Sequence, residues 1–381
     1  MVVMGTRPEV IKMAPVIFEL RKYASLFETL VVATAQHRQL LDQALDIFKI
    51  TSDYDLDLMQ PNQSLSLLAG RILGKMDEIL CRVEPGIVLV QGDTTTVFAA
   101  SLAAFHRKIP VAHIEAGLRS NDPDNPFPEE ANRRLTSVLA AIHFAPTSLA
   151  KEYLRLDNVS EKKIVVTGNT VVDALQYILK QPFSIADSAI RDIPFGRRRT
   201  VLITSHRRET QDQGLSEICK AVKILIQKFP DIQGVFPVHP NPNVLNIVQG
   251  ILGSTERIHL LPPLDYLTFL HLMKMSFLVL TDSGGAQEEA PSLCDNLLVL
   301  RQVTERPEAY LSNIARVIGT SSQVIVREAS RILESKKQSN KRKSLNNPYG
   351  DGRASKRIVK TLHRWALGKM PLLEPTSAFP G

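Results

Sequence analysis

The sequence FLVLTDSGGAQEE, at residues 277–289, joins an apolar run to a turn of small residues and then to a helical pattern. The apolar part predicts a buried strand, and Ser283-Gly284-Gly285 predicts a helix start. Such a start presents backbone N–H groups and the positive end of a helix dipole to an anion. Glu288 and Glu289 follow, and a ribose diol needs a carboxylate acceptor. The stretch predicts a nucleotide-diphosphate site, although an ordinary capped strand–turn–helix unit has the same pattern.

Short apolar runs alternate with helical patterns along the rest of the chain. Continuous apolar strands, as opposed to alternating ones, indicate parallel sheets that are covered on both faces. The pattern therefore predicts an α/β fold with two doubly wound, Rossmann-like domains and a boundary near Gly168. A short first strand is expected within residues 1–4, ahead of Gly5. The other predicted strands lie at residues 30–33, 87–90, 110–112, 142–145 and 164–167, and in a second series at 200–204, 234–238, 258–261, 277–281 and 297–300.

Length and composition are those of an ordinary globular protein with two cores. The chain has 381 residues, of which 44% are hydrophobic and 22% charged, and a formal net charge of +7. A basic balance suits nucleic acid, a membrane surface or an acidic small substrate. The sequence has no basic patch interleaved with aromatic residues and no zinc-finger spacing, so we expect no nucleic-acid partner. The basic run at residues 336–343 is interpreted as a solvated linker.

The cysteines and the apolar runs bear on the compartment. Cys81, Cys219 and Cys294 are odd in number and far apart, which gives neither a disulfide framework nor a metal-binding spacing. The pattern is typical of a reducing compartment. No apolar run approaches the roughly 18 residues that span a bilayer, and no signal peptide is visible. We therefore expect a cytoplasmic protein without a membrane partner.

Polar clusters follow most of the predicted strands or begin a predicted helix. In open parallel sheets, ligands bind at the carboxyl ends of the strands. With two such domains facing each other, the clusters are expected to line one interdomain cleft. They lie at residues 5–12, 91–96, 113–119, 127–134, 204–209 and 238–244.

Together with residues 281–289 and in this order, these clusters resemble the UDP-N-acetylglucosamine 2-epimerases of the non-hydrolysing type. The resemblance runs from Gly5 to about Ala309 and returns at residues 347–355. It implies a glycosyltransferase-B-type architecture. Residues 1–168 would form the N-terminal domain with the acid–base residues, joined by a C-terminal helix at about 355–368, and residues 169–350 would form the UDP-binding domain. The resemblance also implies a homodimer that uses no cofactor and no metal.

The implied reaction interconverts UDP-N-acetylglucosamine and UDP-N-acetylmannosamine by epimerisation at sugar carbon 2. It proceeds by anti elimination of UDP and its re-addition, which requires acid–base groups on two faces of the sugar but no redox cofactor. The resemblance assigns this chemistry to Asp93, Glu115, Glu129 and His206. Without the resemblance, Asp93 could equally be a helix N-cap and Glu129 a charge in the first turn of a helix. His206 could equally be a surface histidine. A charge at Glu115, directly after an apolar run, is costly unless it is used. Which carboxylate is the acid and which the base stays open.

The resemblance also assigns binding residues. Arg7, Lys12 and Arg133 would supply positive charge for the diphosphate, and Glu289 would accept from the ribose hydroxyls. Bacterial members have a second, regulatory UDP-N-acetylglucosamine site, and where they carry arginine this chain has Asn62. The further substrate-binding residues are His239, Ser283, Gly284, Gly285 and Arg306, and the regulatory ones are Gln36, His37, Gln39 and Gln63.

Three other functions remain open from the sequence. The chain could be a 2-epimerase of a related UDP-diacetamido sugar, because the contacts with UDP would be shared. A hydrolysing relative would release free N-acetylmannosamine. A nucleotide-sugar-binding protein with decayed activity is the alternative from a different class. The retained set of Asp93, Glu115, Glu129 and His206 argues against decay, since a binding protein needs no acid–base groups.

Overall fold

The computed structural model describes residues 1–35, 38–60, 63–205, 213–302, 306, 308–311, 314–335 and 347–380, of which 38, 39, 309, 311 and 375 are described by their backbone alone. The chain forms two compact units. Unit 1 comprises Met1–Tyr177 together with Tyr349–Gly381, and unit 2 comprises Ile178–Pro348.

Unit 1 contains a seven-stranded sheet in which every pairing is parallel, in the order β3-β2-β1-β4-β5-β6-β7. Its strands are β1 (Val2–Met4), β2 (Val31–Ala33), β3 (Tyr54–Asp55), β4 (Val88–Gln91), β5 (Val111–Ile114), β6 (Ile142–Ala145) and β7 (Ile164–Val166). The helices between and after them are α1 (Arg7–Lys22), α2 (Arg38–Phe48), α3 (Leu65–Val83), α4 (Thr95–His106), α5 (Glu129–Leu139), α6 (Ser148–Leu156) and α7 (Thr170–Ile178).

Unit 2 contains a six-stranded sheet, again with parallel pairings throughout, in the order β10-β9-β8-β11-β12-β13. Its strands are β8 (Arg199–Thr204), β9 (Ile232–Pro237), β10 (Ile258–Leu261), β11 (Leu278–Thr281), β12 (Leu297–Val299) and β13 (Ala315–Val317). Its helices are α8 (Gln213–Lys228), α9 (Pro242–Leu252), α10 (Tyr266–Met275), α11 (Gly284–Leu293), α12 (Glu308–Leu311) and α13 (Ser322–Glu334).

The last helix, α14 (Ala354–Ala366), returns the chain to unit 1, where it packs against α1. Its first turn is fixed by Asp173 of α7, whose Oδ1 accepts from the Ser355 N–H at 2.9 Å and from the Ser355 hydroxyl at 2.6 Å. These bonds satisfy donors that a helix start leaves without intrahelical partners. Burial raises the pKa of Asp173, against the effect of the same hydrogen bonds.

The buried strands explain why the fold class was predictable. The central strands are largely apolar and fully buried, as in β6 and β11, because helices cover both faces of each sheet. The predicted α/β fold with two Rossmann-like units is confirmed. Two edge strands, β3 and β13, were not predicted, because they are only two and three residues long and carry exposed polar residues. No helix in the described ranges combines the length and the apolar character needed to cross a membrane.

The predicted domain boundary near Gly168 lies ahead of α7, whereas the structure assigns the chain as far as Tyr177 to unit 1. The physical reason is that α7 contacts other residues of unit 1. Asp173 caps α14, and the Tyr177 ring packs on Phe18 with centroids 4.9 Å apart.

Candidate active site

The strand order of unit 1 reverses between β1 and β4, and the loops after these two strands lie side by side. Ligands of doubly wound sheets bind at such a point. The two loops are joined through Glu9, whose Oε2 accepts from the Gly5 N–H at 2.5 Å and the Thr6 N–H at 3.2 Å. The Thr94 hydroxyl donates to Glu9 Oε1 at 2.6 Å. Glu9 therefore holds the start of α1 against the start of α4.

Glu9 is buried, and desolvation raises the pKa of its carboxyl to about 7 although its hydrogen bonds act in the opposite direction. The spacing Thr6-x-x-Glu9 is that of a capping box, so the sequence carried a signal for this contact. No role was predicted for Glu9. Its link to Thr94 joins residues 85 positions apart, which local patterns do not reveal.

Glu115 follows β5 directly and is 8% exposed. Its Oε2 accepts hydrogen bonds from the Lys12 ammonium, from the Gln91 side-chain amide at 3.0 Å and from the Asn169 side-chain amide at 3.2 Å. Its backbone has a φ of 64°, in the left-handed region that non-glycine residues rarely occupy. Such strain persists where the surrounding structure fixes it, and it concentrates at functional sites. Burial, charge and strain together support Glu115 as a functional carboxylate.

Asp93 follows β4 and does not cap α4, because Thr94 occupies the N-cap position. The Asp93 carboxylate instead accepts from Arg133 Nη2 at 2.5 Å. The Asp93 carbonyl accepts from the Asn132 amide at 3.0 Å. The alternative interpretation of Asp93 as a helix cap is therefore wrong, and helix α5 holds both its backbone and its side chain.

Glu129 begins α5 and is half-buried. It precedes Arg133 by four residues, so the two lie on the same face of the helix. Its neighbour Glu130 is fully buried and accepts from Arg133 and Arg134 at 3.0 and 2.9 Å. Glu130 thus fixes the arginine that contacts Asp93, a role that the sequence did not indicate. The acid–base role of Glu129 stays a prediction.

Three cations of unit 1 were predicted to bind diphosphate. Lys12 is 5% exposed and lies against Glu115, and Arg133 is 3% exposed and bonds to Asp93 and Glu130. Arg7 begins α1 and is half-buried. Two of the three cations are thus in contact with carboxylates of their own unit, and a contact with diphosphate stays a prediction for all three.

The second sheet reverses its strand order between β8 and β11, and side chains at their carboxyl ends join the two strands. The hydroxyls of Thr204 and Thr281 lie 2.5 Å apart, and the Ser205 hydroxyl donates to Asp282 at 2.9 Å. Ser283 then caps α11 by accepting from the Ala286 N–H at 3.4 Å. The helix start predicted from the sequence therefore lies at the reversal point of unit 2.

Gly284 and Gly285 form the first turn of α11. Among the described residues, leaving out the backbone of its own helix, a β-carbon added at Gly285 would meet within 4 Å the Ser283 hydroxyl alone, at 3.9 Å. The surface beside this backbone is therefore open, and the first N–H groups of a helix have no intrahelical acceptors. This geometry suits the approach of a phosphate.

Glu288 and Glu289 are both buried, and their carboxylates bond to different partners. Glu288 Oε1 accepts from Arg306 Nε at 2.5 Å, whereas Glu289 Oε1 accepts from the Tyr266 hydroxyl at 2.8 Å. The Asn347 amide donates to the Glu288 carbonyl at 2.9 Å. Consecutive residues of a helix point about 100° apart, which agrees with these different contacts. Tyr266 and Asn347 were not predicted as site residues.

The other predicted residues are distributed as follows. His239 is exposed just after β9, and its Nδ1 accepts from the Asn241 N–H at 3.2 Å. Gln63 accepts from Arg71 at 3.3 Å. His206 lies outside the described residues, as do Gln36, His37 and Asn62, and Gln39 is described by its backbone in α2 alone.

An open pocket of about 600 Å³ lies elsewhere in unit 2, between β13 and α13. Arg316, Arg327 and Arg331 surround Glu328 there, at 3.1, 2.9 and 3.0 Å. The first two arginines line the pocket together with Glu328. None of the described residues that line this pocket is a predicted substrate residue, and we do not assign it to the active site.

Known proteins resemble this chain in sequence and in structure. A profile of the family described as UDP-N-acetylglucosamine 2-epimerase matches residues 19–363. The UDP-N-acetylglucosamine 2-epimerase of Escherichia coli strain K12 is 47% identical over 365 residues, which are 94% of this chain and 97% of that protein. The crystal structure of UDP-GlcNAc 2-epimerase from Neisseria meningitidis bound to UDP-GlcNAc has a TM-score of 0.88 and 46% identity, covering 95% of this chain and 98% of that one.

A more distant likeness concerns the fold alone. An α,α-trehalose 6-phosphate synthase from Burkholderia multivorans has a TM-score of 0.54 at 12% identity and covers 81% of this chain and 77% of its own. The profile, by contrast, spans most of the sequence, and the E. coli relative matches nearly all of it at 47% identity. The chain therefore belongs to the UDP-N-acetylglucosamine 2-epimerase family.

Proposed function

We propose that this chain interconverts UDP-N-acetylglucosamine and UDP-N-acetylmannosamine by moving the proton on sugar carbon 2, with anti elimination of UDP and its re-addition. The observation that carries the proposal is the pair of carboxylates at the strand ends of unit 1. Asp93 and Glu115 follow adjacent strands, and each is bonded to a buried cation. Charge-assisted hydrogen bonds of this kind fix the orientation of a carboxylate, which proton transfer requires.

The proton chemistry is assigned to unit 1. Elimination removes the proton from carbon 2 while the bond between carbon 1 and the UDP oxygen breaks. Re-addition returns UDP to carbon 1 and delivers a proton to the opposite face of carbon 2. Asp93, Glu115 and Glu129 are the acid–base groups in this proposal, with His206 as a further candidate outside the described residues. Lys12 orients Glu115, and Arg133 orients Asp93.

The UDP moiety is assigned to unit 2. The N–H groups at the start of α11 would receive the diphosphate, with Ser283, Gly284 and Gly285 leaving room for its oxygens. Glu289 would accept from the ribose hydroxyls while Tyr266 holds its other contact. Arg306 would act on the substrate from a position fixed by Glu288. His239 and Arg7 complete the proposed binding set.

The experiment is to incubate the protein with UDP-N-acetylglucosamine and follow the products by proton NMR. We expect UDP-N-acetylmannosamine to accumulate with its UDP attached. Free N-acetylmannosamine with UDP would identify a hydrolysing enzyme instead, and an unchanged spectrum alongside measurable UDP binding would identify a binding protein. Turnover of a UDP-diacetamido sugar in preference to UDP-N-acetylglucosamine would redirect the assignment to that substrate.

The homodimer and the cytoplasmic location expected from the sequence are part of the proposal. Light scattering with the purified chain tests the first, and fractionation of the source cells tests the second. A monomer that retains full epimerase activity would contradict the proposed assembly.

A further inference from the structure

Strands β4 and β5 are parallel neighbours, and the two candidate carboxylates Asp93 and Glu115 follow their ends. Their register pairs Val90 with His113 and Gln91 with Ile114. His113 therefore lies level with the end of β4, two residues before Glu115, and at hydrogen-bonding distance from the loop that carries Asp93.

His113 holds the first peptide of that loop. Its side chain is buried, and its Nε2 lies 2.7 Å from the carbonyl oxygen of Gly92. The N–H of Gly92 donates to the Ile114 carbonyl at 3.1 Å. Both polar groups of Gly92 are thus bonded to β5. Gly92 has a φ of 85°, so the chain turns sharply immediately before Asp93.

Asp93 itself is held from the other side by α5. The Asn132 amide donates to its carbonyl and Arg133 to its carboxylate, at 3.0 and 2.5 Å. The segment Gly92–Asp93 is therefore held by hydrogen bonds to β5 on one side and to α5 on the other. Removing the bond from His113 would leave Gly92 with one of its two bonds to β5 and its carbonyl without the His113 donor.

We propose that His113 is a positioning residue that fixes Asp93 relative to Glu115 by donating a hydrogen bond from Nε2 to the Gly92 carbonyl. The proposal rests on the proposed function, because it takes Asp93 as an acid–base group. His113 touches neither substrate nor carboxylate in this role. Its effect on turnover passes through the position of the Asp93 loop.

The protonation of His113 agrees with this role. Burial lowers the pKa of its imidazole to about 4, with Arg119 and Arg133 acting in the same direction and Asp93 in the opposite one. The ring is therefore neutral at neutral pH and carries one N–H. Its Nδ1 has no hydrogen-bond partner within the described part of the chain, and the carbonyl of Gly92 only accepts, so the proton lies on Nε2.

His143 provides a matched comparison. It pairs with His113 across β5 and β6, is equally buried, and has a pKa lowered to about 3 by the same desolvation. Its ring bonds to the backbone of Ala140 at the end of α5, away from the Asp93 loop. The two histidines thus share burial, strand register and charge state and differ in which backbone carbonyl they hold.

The test compares His113→Gln with His113→Met in the full chain. The Gln amide nitrogen reaches about as far as Nε2 and can donate to Gly92, whereas Met has a similar length and no donor. We expect His113→Gln to keep kcat within about 3-fold of wild type. His113→Met should lower kcat by about 10- to 100-fold, the scale of an ångström-sized misplacement, with KM nearly unchanged. His143→Met should leave kcat within about 3-fold.

Equal turnover of His113→Gln and His113→Met would overturn the proposal, and so would an equal loss in His143→Met, which would indicate a general effect of the core. If His113→Met does not fold by circular dichroism, His113→Asn replaces it, because its shorter amide cannot reach Gly92. Asp93→Asn is measured alongside. Full turnover of Asp93→Asn would refute the acid–base role of Asp93, whereas its loss with an active His113→Met would refute the positioning role alone.

Discussion

The two sheets have the same kind of strand-order reversal, yet the residues at the two reversal points differ in chemistry. In unit 1 the loops carry buried carboxylates in contact with buried cations, as in Glu115 with Lys12. In unit 2 the corresponding loop starts a helix with Ser283, Gly284 and Gly285, and Glu288, which pairs with Arg306, lies further along that helix. In the proposed function the same fold therefore supports proton transfer in one unit and anion binding in the other, because function depends on the loops that follow the strands.

The shared features of the two points show what the fold itself requires. In each unit two threonine hydroxyls near the reversal point bond to each other. Thr34 after β2 lies 2.9 Å from Thr96 in the first turn of α4, whereas Thr204 and Thr281 end the neighbouring strands β8 and β11 and lie 2.5 Å apart. Neither bond involves a charged group. The charged groups are what distinguish the units, so substitutions there should separate turnover from binding.

The largest expected effect is the loss of turnover on neutralising the carboxylates of unit 1. Asp93→Asn and Glu115→Gln should each lower kcat by about 100-fold or more, the scale of general acid–base groups. The affinity for UDP, measured by calorimetry, should stay within about 3-fold because UDP binding is assigned to unit 2. Near-normal turnover in both variants would remove the distinction between the units.

The second prediction compares the two buried ion pairs. Lys12→Met removes the ammonium group that bonds to Glu115, and Arg306→Met removes the guanidinium group that bonds to Glu288. Breaking a buried pair from one side costs about 3 kcal/mol or more, so both variants should have a lower free energy of unfolding in denaturant titrations. Lys12→Met should also lower kcat, whereas Arg306→Met should chiefly raise KM. The same kinetic pattern in both variants would contradict the division of roles.

The third prediction concerns pH and Glu9. Its folded-state pKa of about 7 lies above the ordinary 4.5, so the native state favours the protonated carboxyl. This contribution to stability is complete below about pH 4.5 and is lost as pH rises through 7. The free energy of unfolding of wild type minus that of Glu9→Gln should therefore fall by at most about 3 kcal/mol over this range. A difference that is constant from pH 4.5 to 8 would refute the raised pKa of the buried Glu9 carboxyl.

The smallest expected effect is on the helix start of unit 2. Gly285→Val should weaken UDP binding by about 10-fold, because a branched side chain would occupy the open surface beside the first N–H groups. Turnover at saturating substrate should change little, and the fold should tolerate the change because, outside its own helix, the described residues leave the added β-carbon without a close contact. Unchanged UDP affinity in calorimetry would remove this helix start from the binding site.

The sequence was sufficient for the sheets and for the positions of the carboxylates. Strand β6 was predicted to the residue, since four apolar-rich residues between helical patterns have few other interpretations. Asp93 and Glu115 were placed because each follows a strand that could be recognised. The edge strand β13 was not predicted, because its pattern is too short to differ from a loop.

The partners of the carboxylates could not be predicted in the same way. Lys12 and Glu115 are 103 residues apart, and Asn169 reaches Glu115 across 54. Such contacts depend on strand order, which local patterns do not determine. The resemblance assigned Lys12 and Arg133 to the diphosphate but gave no sign of the carboxylates to which they bond in the structure, and the diphosphate contact stays a prediction.

The most direct measurement of the central claim is the incorporation of deuterium at carbon 2 of UDP-N-acetylhexosamine in heavy water, followed by NMR. Wild type should incorporate deuterium at carbon 2 in both epimers while UDP stays attached. Asp93→Asn and Glu115→Gln should slow the incorporation by about 100-fold or more, whereas Gly285→Val at saturating substrate should not. Incorporation at the wild-type rate in both carboxylate variants, or epimerisation without any deuterium at carbon 2, would contradict the account.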